Sequence, residues 1–187
     1  MKTFFFCIVF VCSLVVNAQI TKGNWLVGGS GSFSISYSSF KDSSGNEIRT
    51  EGTGLQLRPN IGYFISDRFA TGLRLNLGFS NSPGRNNSNW GAGLGPFVRY
   101  YFLDINNRIN ILSEANFSYG RGLSQINNDN SSTSFGFSSG VVLFFNSSVG
   151  LELLLNYTDS TSRRDGRNDS NSNLLFVSLG FQIHLEK

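Results

Sequence analysis

The chain has 187 residues, a formal net charge of +3, and 40% hydrophobic, 14% aromatic and 14% charged residues. This length allows one domain, or at most two small ones, and the charged fraction is well below the roughly 25% of an ordinary soluble domain. Eighteen Phe set among many Ser, Asn and Gly exclude a disordered tail or a coiled coil. The composition suggests a surface that does not lie entirely in water.

The first element in chain order is an export signal. Lys2 precedes the apolar run Phe4 to Val16, and Val16-Asn17-Ala18 carries small or medium residues where a signal peptidase reads them. We predict a signal peptide over residues 1–18, cleaved after Ala18. A membrane anchor is the alternative, but the run is shorter than the about 20 apolar residues that a spanning helix needs.

The exported chain, residues 19–187, is predicted to contain no cysteine, because Cys7 and Cys12 both lie in the leader. A disulfide and a Cys-based metal site are therefore not expected. The lone His184 cannot form a metal site by itself, so we expect no metal and no cofactor. Lys and Arg form no clustered footprint, which argues against a nucleic-acid partner.

From Asn24 onward the apolar residues alternate with Ser, Gly, Asn and Arg, and they do not follow a helical spacing. A period of two predicts β-strands, and the pattern occurs in eight runs. The runs are Trp25 to Tyr37, Thr53 to Tyr63, Leu73 to Phe79, Trp90 to Phe102, Ile109 to Tyr119, Phe135 to Phe145, Val149 to Tyr157 and about Asn173 to Leu185.

The connections between these runs alternate between two kinds. Long polar segments span Ser38 to Glu51, Asn81 to Asn89, Arg121 to Ser132 and Thr158 to Ser172. Tight turns lie at Ile65 to Arg68, Asp104 to Asn107 and Asn146 to Ser148. Long loops at one end and short turns at the other are typical of an even-stranded outer-membrane barrel. We therefore predict an all-β fold, an eight-stranded antiparallel up-and-down transmembrane β-barrel.

Volume decides which face of the predicted strands points outward. An eight-stranded barrel has an interior just wide enough for side chains, so about 40 large apolar groups cannot fit inside it. Turned outward, they form an apolar band about 25 Å tall around a narrow polar interior. A soluble sandwich or lipocalin-like barrel is the structural alternative, but it would carry charges on the outward positions. Pro59 and Pro96 lie inside strands, where we expect a bulge or a local twist.

Two segments carry a family resemblance. The turn Tyr63-Phe64-Ile65-Ser66-Asp67-Arg68 is followed by Ala70-Thr71-Gly72, and a later strand reads Gly95-Pro96-Phe97-Val98-Arg99-Tyr100-Tyr101-Phe102. With the signal peptide and the eight strands, the chain resembles the small outer-membrane β-barrel family of Gram-negative bacteria. Its architecture is similar to that of OmpX, OmpW and the transmembrane domain of OmpA. The resemblance implies assembly by the barrel-assembly machinery, contact with outer-membrane lipid and lipopolysaccharide, and a monomer.

Charged residues on the inward positions are the first candidate site. They lie four to six residues from the predicted short turns, which places them roughly 10 to 15 Å above that rim. Charges at one depth in a narrow lumen must pair, so we predict an interior polar network that plugs the barrel, helped by Gln56, Asn60, Asn116 and Gln182. The predicted members of the network are Arg58, Arg74, Arg99, Glu114 and Glu152.

A second candidate site lies in the last long loop. Arg163, Arg164 and Arg167 form the densest charge cluster outside the barrel. Guanidinium groups bind phosphate bidentately, so this cluster is a candidate surface contact for the phosphates of lipopolysaccharide. A solvated loop without a ligand is the alternative.

The functional expectation is an integral outer-membrane protein with a structural or surface-interaction role. We expect the long loops outside the cell and both termini in the periplasm. The alternatives are a narrow porin-like channel for ions or small solutes, and an adhesion or lipopolysaccharide-binding module acting through the long loops. No catalytic residues are predicted, because no loop contains the His that an outer-membrane protease site would need.

Overall fold

The computed structural model describes residues 20–41, 47–81, 89–122, 130–164 and 169–186, which form one closed antiparallel barrel of eight strands. The predicted fold class and strand number are confirmed. The predicted leader, residues 1–18, lies outside the described residues. The strands are β1 (Trp25–Lys41), β2 (Glu47–Ser66), β3 (Phe69–Asn81), β4 (Asn89–Tyr101), β5 (Ile109–Gly122), β6 (Asn130–Phe144), β7 (Val149–Arg164) and β8 (Ser170–Leu185).

Consecutive strands pair with each other, and β1 pairs with β8 to close the barrel. The closing ladder runs over seven residue pairs, from Trp25 opposite Leu185 to Gly31 opposite Leu179. Beyond Gly31, β1 continues to pair with β2, while β8 continues to pair with β7. Within the described residues, no helix has the length and apolar composition to cross a membrane.

The strands extend into segments that the sequence pattern assigns to long loops. The first predicted loop begins at Ser38, yet β1 continues to Lys41 and β2 begins at Glu47. β2 has 20 residues, which at 3.3 Å per residue and a tilt near 40° covers roughly 50 Å of height, about twice the 25 Å apolar band. The predicted loop boundaries are wrong here because strands that project into water need no apolar face, so hydropathy does not mark their ends.

The two strand prolines do not cause the expected bulge. Pro59 lies opposite Gly29 in a regular ladder, and Pro96 lies opposite Leu73. On its other side each proline interrupts the ladder for two residues, and the register is unchanged beyond the gap. The one described shift between β2 and β3 lies between Phe64 and Ser66, beside the two-residue turn where Arg68 has a φ of 66°.

The outward positions carry the large apolar side chains, as the volume argument predicts. Phe33 is 66% exposed and Leu175 is 65% exposed, and exposed Leu, Ile, Val and aromatic residues recur on every strand. Trp90 and Tyr100 lie at the two ends of the outward row of β4. Their separation of ten positions corresponds to about 25 Å of height, which equals the apolar band of an outer-membrane barrel.

The inward positions near the short turns are apolar, which corrects the prediction of a narrow polar interior at this end of the barrel. We call this group the apolar base, and it lies at the short-turn end of the barrel. Its members are the buried residues Ile20, Leu26, Phe64, Ala70, Tyr101, Leu112, Val142 and Phe144.

The segment before β1 helps to close this end. Ile20 has no exposed surface, and its carbonyl accepts a hydrogen bond from the backbone N–H of Arg68 at 2.8 Å. The N–H of Gly23 donates to the carbonyl of Phe64 at 2.9 Å. Lys22 donates its backbone N–H to the carboxylate of Asp67. The chain therefore folds under the barrel and fills its short-turn end before β1 begins.

Candidate functional site: the barrel lumen

A buried ion-pair layer crosses the lumen above the apolar base. Arg99 on β4 lies directly opposite Glu114 on β5, and its Nε and Nη2 donate to Glu114 Oε2 at 3.0 and 2.9 Å. Its Nη1 reaches across to Glu152 Oε1 on β7 at 2.6 Å. Arg99 is 1% exposed, and both glutamate side chains are fully buried. One guanidinium thus joins the two walls of the barrel.

Arg74 on β3 completes this layer. Its Nη2 donates to Glu114 Oε2 at 2.6 Å, and its Nη1 forms a second contact with Glu114 Oε1. The ring of Phe97 contacts both arginines, with its centroid 5.2 Å from the Arg74 guanidinium carbon and 5.9 Å from that of Arg99. Charged hydrogen bonds and ring contacts together offset most of the cost of burying these groups, and Arg74 Nε is left without a hydrogen-bond partner.

Polar groups at the lower side of the layer connect it to the apolar base. Tyr101 Oη accepts a hydrogen bond from Arg99 Nη1 at 3.2 Å and lies 3.4 Å from His184 Nε2. The His184 ring is fully buried and packs against Phe64 and Phe144, with centroids 5.8 and 5.4 Å away. Gln182 donates to Glu152 at 3.5 Å. His184 therefore acts as a packing residue at the base.

Arg58, a predicted member of the network, lies outside it. Its Nη2 donates to Gln56 Oε1, and its guanidinium carbon lies 4.4 Å from the centroid of the Phe176 ring. Among the described residues, no carboxylate lies within ion-pair distance of Arg58. Of the predicted helpers, Asn60 is 6% exposed, and neither polar atom of its side chain has a hydrogen-bond partner. The structure thus joins Arg74, Arg99, Glu114 and Glu152 and separates Arg58 from them.

A polar cavity of about 810 Å³ occupies the lumen above the ion-pair layer. It extends from Arg74 and Asn156 at mid-barrel to Ser162 and Ser170 near the long-loop end. Ser, Thr, Asn and Gly provide most of its wall, and no residue of the apolar base lines it. The lumen is therefore divided into an open polar half and a filled half.

Comparison with known proteins shows which class of proteins shares this architecture. The chain is similar to the outer membrane protein OprG from Pseudomonas aeruginosa, with a TM-score of 0.60, 13% identity, and coverage of 92% of this chain and 100% of that chain. It is also similar to Neisserial surface protein A, NspA, with a TM-score of 0.55, 16% identity, and coverage of 87% and 97%. The fold is that of the small outer-membrane β-barrels. No protein-family model matches the chain, and no curated protein matches it by sequence.

The loop arginines of this outer-membrane-type barrel are only partly within the described residues. Arg163 lies near the end of β7, and its Nε is 3.4 Å from the carboxylate of Asp169. The Arg163 side chain is 74% exposed. Arg167 and the side chain of Arg164 lie outside the described residues. The predicted cluster thus contributes one exposed and paired arginine at the mouth of the cavity.

Sequence reasoning missed the apolar base and Phe176. A signal for the base exists, because strict alternation lapses near the short turns in runs such as Tyr63-Phe64-Ile65, Ile111-Leu112 and Val141 to Phe145. Apolar residues at both parities indicate a strand with both faces away from water. The consecutive apolar residues Leu174, Leu175 and Phe176 interrupt the alternation of β8 in a similar way. Among the described residues, no group of three or more His, Cys, Asp and Glu side chains could hold a metal ion.

Proposed function

We propose that this protein is an integral outer-membrane barrel with a closed base, which serves the envelope through structure or through contacts at its long-loop end. In this proposal the long loops face outward, both termini lie in the periplasm, and the protein acts as a monomer without a catalytic site. The observation that carries the proposal is the ion-pair layer: Arg99, 1% exposed, bridges Glu114 and Glu152 directly above the apolar base.

Two further observations support a membrane location. The outward positions expose large apolar side chains on every strand, a surface that would be unfavourable in water. Aromatic pairs lie near both ends of this surface. Trp25 and Tyr63 have ring centroids 5.3 Å apart near the short-turn end, and Phe79 and Trp90 are 4.7 Å apart towards the long-loop end. Such girdles are typical of the two membrane interfaces.

The closed base favours the structural role over the channel. A conduit needs a continuous polar path, whereas the inward positions between Arg99 and the short turns carry buried Phe64, Leu112, Val142 and Phe144. Apolar constrictions exclude water and ions. The role of the long loops in adhesion or in lipopolysaccharide binding stays a second proposal, supported by the exposed Arg163 at the mouth of the cavity.

Planar-bilayer recordings test the closed base. We expect the reconstituted wild-type barrel to show no stable stepwise current, because the ion-pair layer and the apolar base block the lumen. The variants Arg74→Gln and Arg99→Gln are recorded beside Arg108→Gln, which removes an equal charge at the short-turn end. A stepwise wild-type current whose ion selectivity changes in the two lumen variants, and not in Arg108→Gln, would show that the lumen conducts.

A further inference from the structure

The floor of the polar cavity carries positive charge that the described residues do not neutralise. Glu114 and Glu152 are both engaged by Arg74 and Arg99. Arg58, which also lines the cavity, forms no ion pair among the described residues; it donates a hydrogen bond to the neutral Gln56 and contacts the Phe176 ring. Arg58 is only partly buried and has no ion-pair partner in the part of the chain that the structure describes, so its guanidinium is suited to receive an anion from the cavity.

Register places a second donor next to Arg58. Asn60 lies directly opposite Arg74, so Arg58, two residues along β2, is the diagonal neighbour of Arg74 on the same inward face. The Cα atoms of diagonal neighbours in a sheet are about 7–8 Å apart, so two arginine side chains at such positions can reach one tetrahedral oxyanion between them. Arg74 is 4% exposed, and its Nε has no hydrogen-bond partner. The side chain of Asn60 is likewise buried and unpartnered at this point.

The walls above this floor favour a hydroxylated ligand. Ser118, Ser134, Thr158 and Ser160 line the cavity, and hydroxyl groups can both donate and accept hydrogen bonds. The Arg58 guanidinium covers one face of the Phe176 ring. The apolar surface that Phe176 and Leu174 present beside it is one against which the carbon face of a sugar ring can pack. The cavity volume of about 810 Å³ is within the range of sites for small organic ligands, roughly 300–1,000 Å³.

We propose that the cavity binds a small acidic saccharide. Its oxyanion lies between Arg58 and Arg74, and its sugar ring packs on Phe176. Binding from the long-loop end does not depend on whether the base conducts, so the two proposals fail separately: titration tests the site and bilayer recording tests the closed base. The lining side chains come from β2 to β8, which explains why no local sequence motif marks the site.

Isothermal titration of the barrel, refolded in a zwitterionic detergent at low salt, tests the site. The probes are glucose 6-phosphate, glucuronate, inorganic phosphate and glucose. We expect both acidic sugars to bind more tightly than glucose, and glucose 6-phosphate to bind more tightly than inorganic phosphate. Arg58→Gln should weaken binding of glucose 6-phosphate at least about tenfold, because it removes a charged hydrogen-bond donor.

Two further variants separate the oxyanion from the sugar. Phe176→Leu should reduce the preference for glucose 6-phosphate over inorganic phosphate and leave phosphate binding unchanged. Arg58→Lys keeps the charge and should give an intermediate loss, so it replaces Arg58→Gln if that variant does not refold. Arg108→Gln, the matched charge control at the opposite end, should bind like the wild type.

Specific results would overturn the proposal. Equal affinity for glucose and glucose 6-phosphate would show that the cavity has no oxyanion site. Equal affinity for phosphate and glucose 6-phosphate would show that the cavity does not recognise the sugar ring. Binding that falls equally in Arg58→Gln and Arg108→Gln would show a general effect of net charge and no site in the cavity.

Discussion

At the scale of single residues, Arg99 is the critical side chain of the lumen. Its guanidinium bonds to Glu114, Glu152 and Tyr101, and all three partners are buried. A buried ion pair contributes little compared with a well-packed apolar replacement of the whole group. Removal of Arg99 has a different effect, because it leaves Glu152 buried without its ion-pair partner and leaves Glu114 with Arg74 alone. The layer is therefore far more sensitive to single substitutions than to coordinated replacement.

Arg99→Met should destabilise the folded barrel by about 3–5 kcal/mol, because two buried carboxylates lose their shared cation. Arg58→Met removes an equal charge from the same lumen but breaks no ion pair, and its cost should be about 1 kcal/mol or less. Urea unfolding of each variant in lipid vesicles, followed by the fluorescence of Trp25 and Trp90, measures both values. Equal destabilisation of the two variants would show that the ion-pair layer has no special role in stability.

At the scale of elements, β4 and β5 lie in close backbone contact at Gly95. A Cβ at this position would lie 1.8 Å from the carbonyl oxygen of Phe117 and 2.7 Å from the Cα of Ser118. The ladder between these strands is interrupted at Gly95 and Pro96, and it resumes in the same register. The absent side chain lets the backbones close this gap where the proline cannot donate a hydrogen bond.

Gly95→Ala should destabilise the barrel by about 1–3 kcal/mol, because the added methyl group must push β4 away from β5. Gly78→Ala is the matched control on β3, since a Cβ there has no heavy atom within 4 Å. We expect the control to unfold at the same urea concentration as the wild type or slightly above it. The interpretation of Gly95 as a contact glycine is contradicted if the two variants unfold at one midpoint.

The elements also show how far sequence patterns reach. Alternation predicts each strand because lipid outside and a polar lumen inside impose a period of two. The pattern weakens at both ends of the barrel for different reasons. At the short-turn end the lumen itself is apolar around Phe64 and Phe144. At the long-loop end the strands continue past the apolar band: β1 ends only at Lys41, and β2 begins at Glu47.

At the scale of the whole molecule, the two ends of the barrel differ in character. The short-turn end is filled by the apolar base and by the segment that contains Ile20. The long-loop end contains the polar cavity, with Arg121 and Arg163 in its lining. This asymmetry suits a molecule that is closed towards the periplasm and presents a polar cavity outward, which is the proposed orientation.

Single cysteines test this orientation, because the exported chain is predicted to contain none. Asn81→Cys lies at the long-loop end of β3, and Asn106→Cys lies in the short connection between β4 and β5. On intact cells a membrane-impermeant maleimide should label Asn81→Cys and should reach Asn106→Cys only after lysis. The wild-type chain is the control for labelling that does not depend on an introduced cysteine. Labelling of Asn106→Cys alone on intact cells would show that the barrel has the opposite orientation to the proposed one.

The sequence by itself determined the number of strands, their order and the face that each presents to lipid. These are local properties, since the alternation of side chains along one strand does not depend on its neighbours. Tertiary structure alone decided the partners in the lumen. A shift of two residues moves a side chain by about 7 Å along its strand, which is more than the length of an ion pair. Stagger between strands therefore placed Arg99 between Glu114 and Glu152, and left Arg58 with Gln56 and Phe176.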